Sequence, residues 1–310
     1  MKFVEHRQVM ILGGGPAGFT AALYAARADL KPLLVTGMTL YGQASQTHLI
    51  ENYPGFPPGI GGSDLGQLFD EQARRFGADV VFDTVQCVRL GQHPFEVCLS
   101  DTKYSADSLI ISMGADARKL NIPGEKEFTG RGVSYCATCD GWFYKEKDIH
   151  VVGGGDSALE EALFLTRFAR SITIIHRRDA LRAGAILENR ARNNPKISFL
   201  WDTVVKEIIG QDKAEQLLIE NVKTGDRQII PTEGVFVLIG HHPNTAVLDG
   251  QVKLTQYGTI AVDERMQTSV EGVFAAGEIA DPHFRQVVTS AGMGAAAAIS
   301  ATHYLETLKP

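Results

Sequence analysis

Gln8-Val9-Met10-Ile11-Leu12-Gly13-Gly14-Gly15-Pro16-Ala17-Gly18 joins an unbroken apolar run to a G-x-G-x-x-G turn. A short apolar run bounded by glycine reads as a strand buried on both faces. Ala-rich helical sequence follows to about Ala28, and Leu33-Leu34-Val35 reads as the next strand. Together they form a βαβ unit, whose glycines let a pyrophosphate approach the backbone at a helix N-terminus. Gly13, Gly15, Pro16, Ala17 and Gly18 are therefore candidate dinucleotide contacts. The acid usually expected at the end of the second strand is missing, and Thr36-Gly37 stands there.

The pattern recurs downstream. Asp148-Ile149-His150-Val151-Val152 leads into Gly153-Gly154-Gly155-Asp156-Ser157-Ala158, a G-x-G-x-x-A form. A helix is expected from about Ser157 to Phe168, then the strand Ile172-Thr173-Ile174-Ile175. Again the ribose-binding acid is absent, and His176-Arg177-Arg178 occupies its place. Arginine offers a fork of donors to a phosphate that an acid would repel. The turn therefore reads as a site preferring the 2′-phosphate of NADPH, with Arg182 close enough in sequence to join. The bland alternative for these arginines is a solvated charge run. Candidate contacts here are Gly153, Gly155, Asp156, Ser157, Ala158, His176, Arg177, Arg178 and Arg182.

The remaining segments organise around these units. Residues 37–62 are rich in Gly and Pro and read as a long ordered loop. Ser63 is placed to cap a helix running to about Phe76. Alternation from Val80 to Tyr104 suggests a small antiparallel sheet, and Ser108 to Ser112 a buried strand. Residues 115–130 read as a linker, and strand-like segments recur between about Ile197 and Ile230. Val235 to Gly240 reads as a strand leaving the second unit, with His241-His242-Pro243-Asn244 as the return linker. Gly272 to Glu278 is a further strand, and Gln286 to Leu305 a closing helix. The expected fold class is α/β, with two Rossmann-like dinucleotide-binding domains, the second inserted into the first. Residues 1–116 and 246–310 make up the first, and residues 117–245 the second.

Between the two glycine turns lies Cys136-Ala137-Thr138-Cys139-Asp140-Gly141. Two cysteines at this spacing can close a small disulfide, and a sulfur heading a helix is favoured as thiolate. An acid directly after them can supply or remove the proton that thiol exchange needs. The spacing also suits half a zinc site, but no second Cys pair or paired histidines complete one, so no metal is expected. Cys87 and Cys98 sit in alternating stretches and read as small buried hydrophobes.

The chain has 310 residues, 44% of them apolar, which suffices for two domains with a substantial core. A net charge of −6 without a long basic run argues against nucleic acid as the main ligand. No apolar run approaches membrane-spanning length, and the first residues lack the apolar segment of a signal peptide. The expected setting is cytoplasmic.

With these motifs assembled, the sequence resembles the low-molecular-weight thioredoxin reductases over nearly its full length. The match rests on Gly13 to Gly18, Glu51-Asn52-Tyr53-Pro54-Gly55, Cys136 to Gly141, Gly153 to Ala158, His176-Arg177-Arg178, Gly240 to Thr245, and Arg285-Gln286 before Ser290-Ala291-Gly292. The resemblance implies FAD in the first domain, NADPH in the second, a homodimer, and a domain rotation that alternates the flavin's partners. It implies electron flow from NADPH through FAD and the Cys136–Cys139 disulfide to thioredoxin. By the same analogy Cys139 faces the flavin, Cys136 attacks thioredoxin, and Asp140 is their acid–base partner. Trp142, Phe143 and Arg131 then fall where the protein substrate docks. The flavin contacts it implies include Thr36, Gly37, Gln43, Asn52, Gly277, Glu278, Arg285 and Gln286, besides the first glycine turn.

Three stretches depart from the family pattern. Tyr41-Gly42 stands where two glycines are usual, Ser112-Met113-Gly114 where Ala-Thr-Gly is usual, and Gly277-Glu278 where Gly-Asp is usual. A tyrosine at a position needing positive φ is strained by about 1–2 kcal/mol. That predicts another loop path, with the phenol covering part of the flavin ring or narrowing the nicotinamide's approach. Slow flavin reduction is the expected result, relieved by Tyr41→Gly with Glu278→Asp. These departures leave open a related flavin disulfide reductase that uses another donor, such as ferredoxin, or another protein disulfide. A non-catalytic redox-sensing flavoprotein is a third reading, which the complete Cys136 to Asp140 stretch argues against.

Overall fold

The structure is a computed structural model that describes residues 2–47 and 49–308. The chain divides into two compact units, Met1–Asp116 with His242–Pro310, and Ala117–His241.

The first unit is built on β1 (Lys2–Leu12), whose residues Val9 to Leu12 are completely buried. Parallel to it run β2 (Leu33–Val35) and β6 (Thr102–Ile111), with β3 (Asp79–Val81) beyond β2. On the edge away from β1, β6 serves two neighbours. Its first half pairs antiparallel with β5 (Phe95–Cys98), which in turn pairs with β4 (Cys87–Arg89). Its last residues pair parallel with β17 (Val273–Ala275). Alternate residues of β1 feed two cores. Val9 and Ile11 pack with the helices α1 (Pro16–Arg27) and α6 (Val287–Thr307), while Met10 and Leu12 pack with Phe95, Val97 and Ile260. Gly294 lets α6 approach the Ala17 carbonyl of α1 so closely that no Cβ fits between them. The helix α2 (Gly62–Arg75) starts one residue before Ser63, with Gly61 at its N-cap. Its first residue lies against the Ala44 carbonyl, so contact with the preceding loop sets the start rather than a serine cap.

The second unit has a five-stranded parallel sheet in the order β11-β10-β9-β15-β8. These are β8 (Val133–Ser134), β9 (Asp148–Val152), β10 (Ser171–Ile175), β11 (Ile197–Leu200) and β15 (Val235–Val237). One face carries α3 (Ala137–Asp140), α4 (Asp156–Leu165) and α5 (Ala185–Arg192), with Ala137, Leu159 and Ile174 in their shared core. The other face packs Val152 and Ile175 on an antiparallel sheet of β12 (Thr203–Gly210), β13 (Ala214–Asn221) and β14 (Arg227–Pro231). Short strands β7 (Ala115–Ala117) and β16 (His241–Pro243) pair separately. The architecture is therefore α/β, with both glycine turns at the carboxyl ends of parallel strands, where such sheets bind ligands.

Candidate functional site

Cys136 and Cys139 are joined as a disulfide, with Cα atoms 5.4 Å apart. Cys136 is the N-cap of α3, and its sulfur accepts the Cys139 N–H at 3.2 Å. Ser134, at the end of β8, organises the motif from below. Its hydroxyl donates to Asp140 Oδ2 at 2.6 Å and accepts the Cys136 N–H at 3.2 Å. Burial raises the Asp140 pKa, and the Ser134 hydrogen bond only partly opposes it. A carboxyl held this way is poised to exchange a proton beside the sulfurs. Cys139 and Thr138 are exposed, and Cys136 is half-buried. Beyond the pair, Trp142 and Phe143 are 58% and 40% exposed, a projecting aromatic surface. Trp142 rests edge-on against Phe168 and carries Lys145 over its ring. Arg131 is exposed, with its guanidinium donating to the Glu127 carbonyl.

The second glycine turn joins β9 to α4. Its helix starts at Gly155 with no side-chain cap, so its first N–H groups are left for an anion. The ring of His176 fills the space where a Cβ on Gly154 would lie. His176 is buried, faces the Ala180 carbonyl at 3.1 Å, and has its pKa lowered chiefly by burial. Its ring thus supports the turn from beneath, beside the arginines that follow it. The loop after β10 folds back on the turn. The Arg182 N–H donates to the Gly154 carbonyl at 2.7 Å, and Asp156 Oδ1 accepts the Gly184 N–H at 2.7 Å. Arg182 brings its guanidinium beside Gly155. Arg177, Arg178 and Arg182 are exposed and form no ion pair among the described residues. Ser157 is exposed, while Ala158 is buried against Gly153. An uncapped helix start beside the Arg182 guanidinium, with Arg177 and Arg178 exposed just after β10, fits a phosphorylated dinucleotide.

The first glycine turn has the same form. Gly13 adopts φ +113°, Pro16 opens α1, no side chain caps it, and its first turn holds no acid. A Cβ on Gly15 would meet nothing within 4 Å, so the turn is open there. Gly18 in turn lies against the Gly13 carbonyl. Thr36 is buried, packs on Gly14, and donates its hydroxyl to the Gly37 carbonyl at 3.0 Å, so it shapes the turn. Gly277 packs against Ala17 and places Glu278 beside the start of α1. Burial pushes the Glu278 pKa up to about 7; Arg285 opposes the rise, and Asp281 and Asp116 add to it. Gln43 donates to Asp116 Oδ1 at 2.8 Å and to the Ala115 carbonyl. Asn52 donates to Gln286 Oε1 at 3.1 Å, joining the long loop to the N-cap of α6. Asp281 holds the Arg285 segment by accepting the N–H groups of His283, Phe284 and Arg285. Gly42 and Gly277 thus lie against Gly15 and Ala17 at an uncapped helix start that fits a pyrophosphate.

Two expectations need correction. Tyr41 keeps the positive φ, at +64°, and its ring turns toward the core against Phe19, over Gly66 of α2. The loop therefore keeps a left-handed residue at this position, with the partly buried ring packed against the core. Cys87 and Cys98 are directly opposed on β4 and β5, with Cα atoms 5.0 Å apart, and pair as a disulfide. They were read as separate apolar residues, and only strand register reveals the pairing. Met113 packs at the edge of the core, and its carbonyl accepts from Asn244 Nδ2 at 3.0 Å. Sequence reasoning also missed Ser134 and Glu161, whose carboxylate accepts the Ala137 N–H at 2.8 Å. No spacing signals either residue. No cluster of three or more metal-ligating side chains occurs among the described residues, and no helix of them is long and apolar enough to cross a membrane.

Residues 7–294 match the pyridine nucleotide-disulphide oxidoreductase family. The chain is 49% identical over 298 residues to a thioredoxin reductase of Mycolicibacterium smegmatis, covering 96% of each. It is 48% identical over 300 residues to a bifunctional thioredoxin reductase/thioredoxin of Mycobacterium leprae, covering 96% of this chain and 66% of that one. The fold matches the crystal structure of thioredoxin reductase from Streptococcus pyogenes with a TM-score of 0.93 and 44% identity, covering 97% of this chain and 99% of that one.

Proposed function

The chain belongs to the pyridine nucleotide-disulphide oxidoreductases, among the thioredoxin reductases, and from that premise we propose its cofactors, site residues and partners. NADPH is the donor, FAD the bound flavin, and thioredoxin the protein whose disulfide is reduced. The carrying observation is the Cys136–Cys139 disulfide with Asp140 held by Ser134, in the same unit as an arginine-flanked, uncapped glycine turn. Residues 1–116 and 246–310 form the FAD-binding domain, and residues 117–245 the NADPH-binding and redox-disulfide domain. The enzyme works as a cytoplasmic homodimer.

FAD, when bound, would supply two-electron chemistry between NADPH and a disulfide. The chain's own residues do the rest. Gly13 to Gly18 and Gly153 to Ala158 receive the two pyrophosphates, and Arg177, Arg178 and Arg182 hold the NADPH phosphates. Glu278 accepts hydrogen bonds from flavin hydroxyls, with Gln43, Asn52, Arg285 and Gln286 around it. Once the disulfide is opened, the Cys136 thiolate attacks one sulfur of thioredoxin's disulfide. The other sulfur leaves as a thiolate and takes a proton from Asp140. Cys139 then displaces the thioredoxin sulfur, re-forming the Cys136–Cys139 bond. Trp142 and Phe143 offer the apolar surface on which such a partner docks.

Anaerobic titration of the purified protein with NADPH tests this reading. The protein should be yellow, bleach on NADPH addition, and regain colour when oxidised thioredoxin is added. A colourless protein that takes up no FAD would end the flavoenzyme reading. Bleaching by a reduced ferredoxin but not by NADPH would transfer the chain to another donor.

A further inference from the structure

The helix that opens at the second glycine turn also grips the redox motif. Glu161 lies on α4, whose N-terminus is the uncapped turn at Gly155. Its Oε2 accepts the N–H of Ala137, the first residue of α3 and the one bonded to Cys136. The Cys136 sulfur draws on that same short turn, accepting the Cys139 N–H. An acceptor bond from a backbone N–H favours the ionised carboxylate. Opening the disulfide would therefore place a Cys136 thiolate one residue away from the N–H that this carboxylate holds. Like charges at such range disfavour ionisation.

We propose that Glu161 is a positioning residue that holds the Cys136 loop and, through its charge, restrains the Cys136 thiolate, making the dithiol a stronger reductant. Reduction of the bond takes two electrons, supplied by the enzyme's nicotinamide and flavin route, and two protons, one fewer for each sulfur left as thiolate. A stabilised thiolate favours the reduced form and makes a couple oxidising. A destabilised one does the reverse, which suits a pair that must pass electrons onward. Other groups around Cys136 are engaged differently. Asp140, on α3, is bonded to Ser134, and burial raises its pKa. Burial raises the pKa of Tyr144, in the following turn, and Lys147 lies over its ring. Lys145 lies over Trp142, and the Tyr135 hydroxyl is turned to Glu125. The proposal rests on the reading of Cys136 as the attacking sulfur.

The test uses the FAD-loaded protein and three variants, Glu161→Gln, Glu161→Met and Glu160→Gln. Gln keeps an acceptor oxygen without the charge, and Met keeps length without either. Glu160 is the exposed neighbour on the same helix. In a Cys139→Ser background, the alkylation rate of Cys136 is measured against pH. In the two-cysteine enzyme, the dithiol fraction is measured in dithiothreitol redox buffers by alkylation and mass. Glu161→Gln and Glu161→Met should both lower the Cys136 pKa by about one unit, and Glu160→Gln should not. The dithiol–disulfide equilibrium should move several-fold toward dithiol at pH 8. The shift should approach tenfold, about 30 mV for this two-electron couple, as pH rises, and vanish in acid. A shift in Met alone, in neither variant, or equally in Glu160→Gln would overturn the charge effect. If Cys136 in the Cys139→Ser parent neither alkylates nor traps thioredoxin, the assignment of the attacking sulfur falls, and this inference with it.

Discussion

The Tyr41 ring packs against Phe19 with centroids 5.8 Å apart, although the Tyr41 backbone sits at φ +64°. The left-handed conformation costs about 1–2 kcal/mol in a residue with a Cβ. Burying an aromatic ring returns roughly 1.5–3 kcal/mol when complete. Gly66 provides the room, because a Cβ there would strike the tyrosine ring. The burial also raises the Tyr41 pKa, and Asp70 adds to the rise.

Tyr41→Gly should therefore change stability by less than about 1 kcal/mol, because lost partial burial and relieved strain nearly cancel. Flavin reduction by NADPH should stay unchanged, because the ring turns toward Phe19 and Gly66. Chemical denaturation and anaerobic stopped-flow absorbance check the two halves. A faster reduction in Tyr41→Gly would mean that the ring does obstruct the nicotinamide.

The two cysteine pairs should behave differently. Cys139→Ser should abolish thioredoxin reduction, retain FAD, and trap thioredoxin on Cys136 as a mixed disulfide, because the resolving sulfur is gone. Cys87→Ser or Cys98→Ser should leave turnover intact. The loop they close spans a separation of 11 residues. Its loss should cost about 3 kcal/mol of stability in oxidised protein and nothing in reduced protein. Thiol counting by mass, with and without reductant, decides whether the second pair is closed in solution.

Replacing Arg177 and Arg178 with Ala should weaken NADPH far more than NADH. Each charge-assisted bond to the 2′-phosphate is worth roughly 1.5–3 kcal/mol, at least about tenfold in affinity. Arg182→Ala should weaken both nucleotides, because its guanidinium lies beside Gly155, where the shared pyrophosphate is expected. Calorimetric binding of the two nucleotides separates these outcomes. Equal losses for both in the Arg177, Arg178 variant would assign those arginines to structure.

What the sequence revealed were features carried by local runs. The apolar strand before each glycine turn, the arginines after β10, and Cys136 to Gly141 can be read because neighbours in the chain are neighbours in space. What it hid depends on register or on distant partners. Cys87 meets Cys98 only because β4 pairs with β5 in one alignment. Glu161 reaches Ala137 across 24 positions. His176 looks like part of a basic cluster, yet its ring is drawn under Gly154, which has no side chain to exclude it. Tyr41 broke a local rule, and its compensation lay in α2.

Glu278 should make FAD binding depend on pH near neutrality. Its pKa is raised from 4.5 to about 7, with burial the largest cause. In FAD-free protein the folded state then holds a proton that the unfolded state has lost between about pH 4.5 and 7. The unfolded state binds fewer protons across that window, so Glu278 should make stability fall as pH rises through it. A carboxylate accepting flavin hydroxyls is favoured in its charged form, so binding should release the proton. FAD affinity should therefore rise between about pH 6 and 8, by roughly tenfold, as the ionised fraction grows. Glu278→Gln should flatten both dependences. Glu278→Asp, less buried by one methylene, should move the rise to lower pH. Fluorescence titration of FAD-stripped protein across this range measures the affinity, and a profile identical in parent and Glu278→Gln would remove Glu278 from the flavin site.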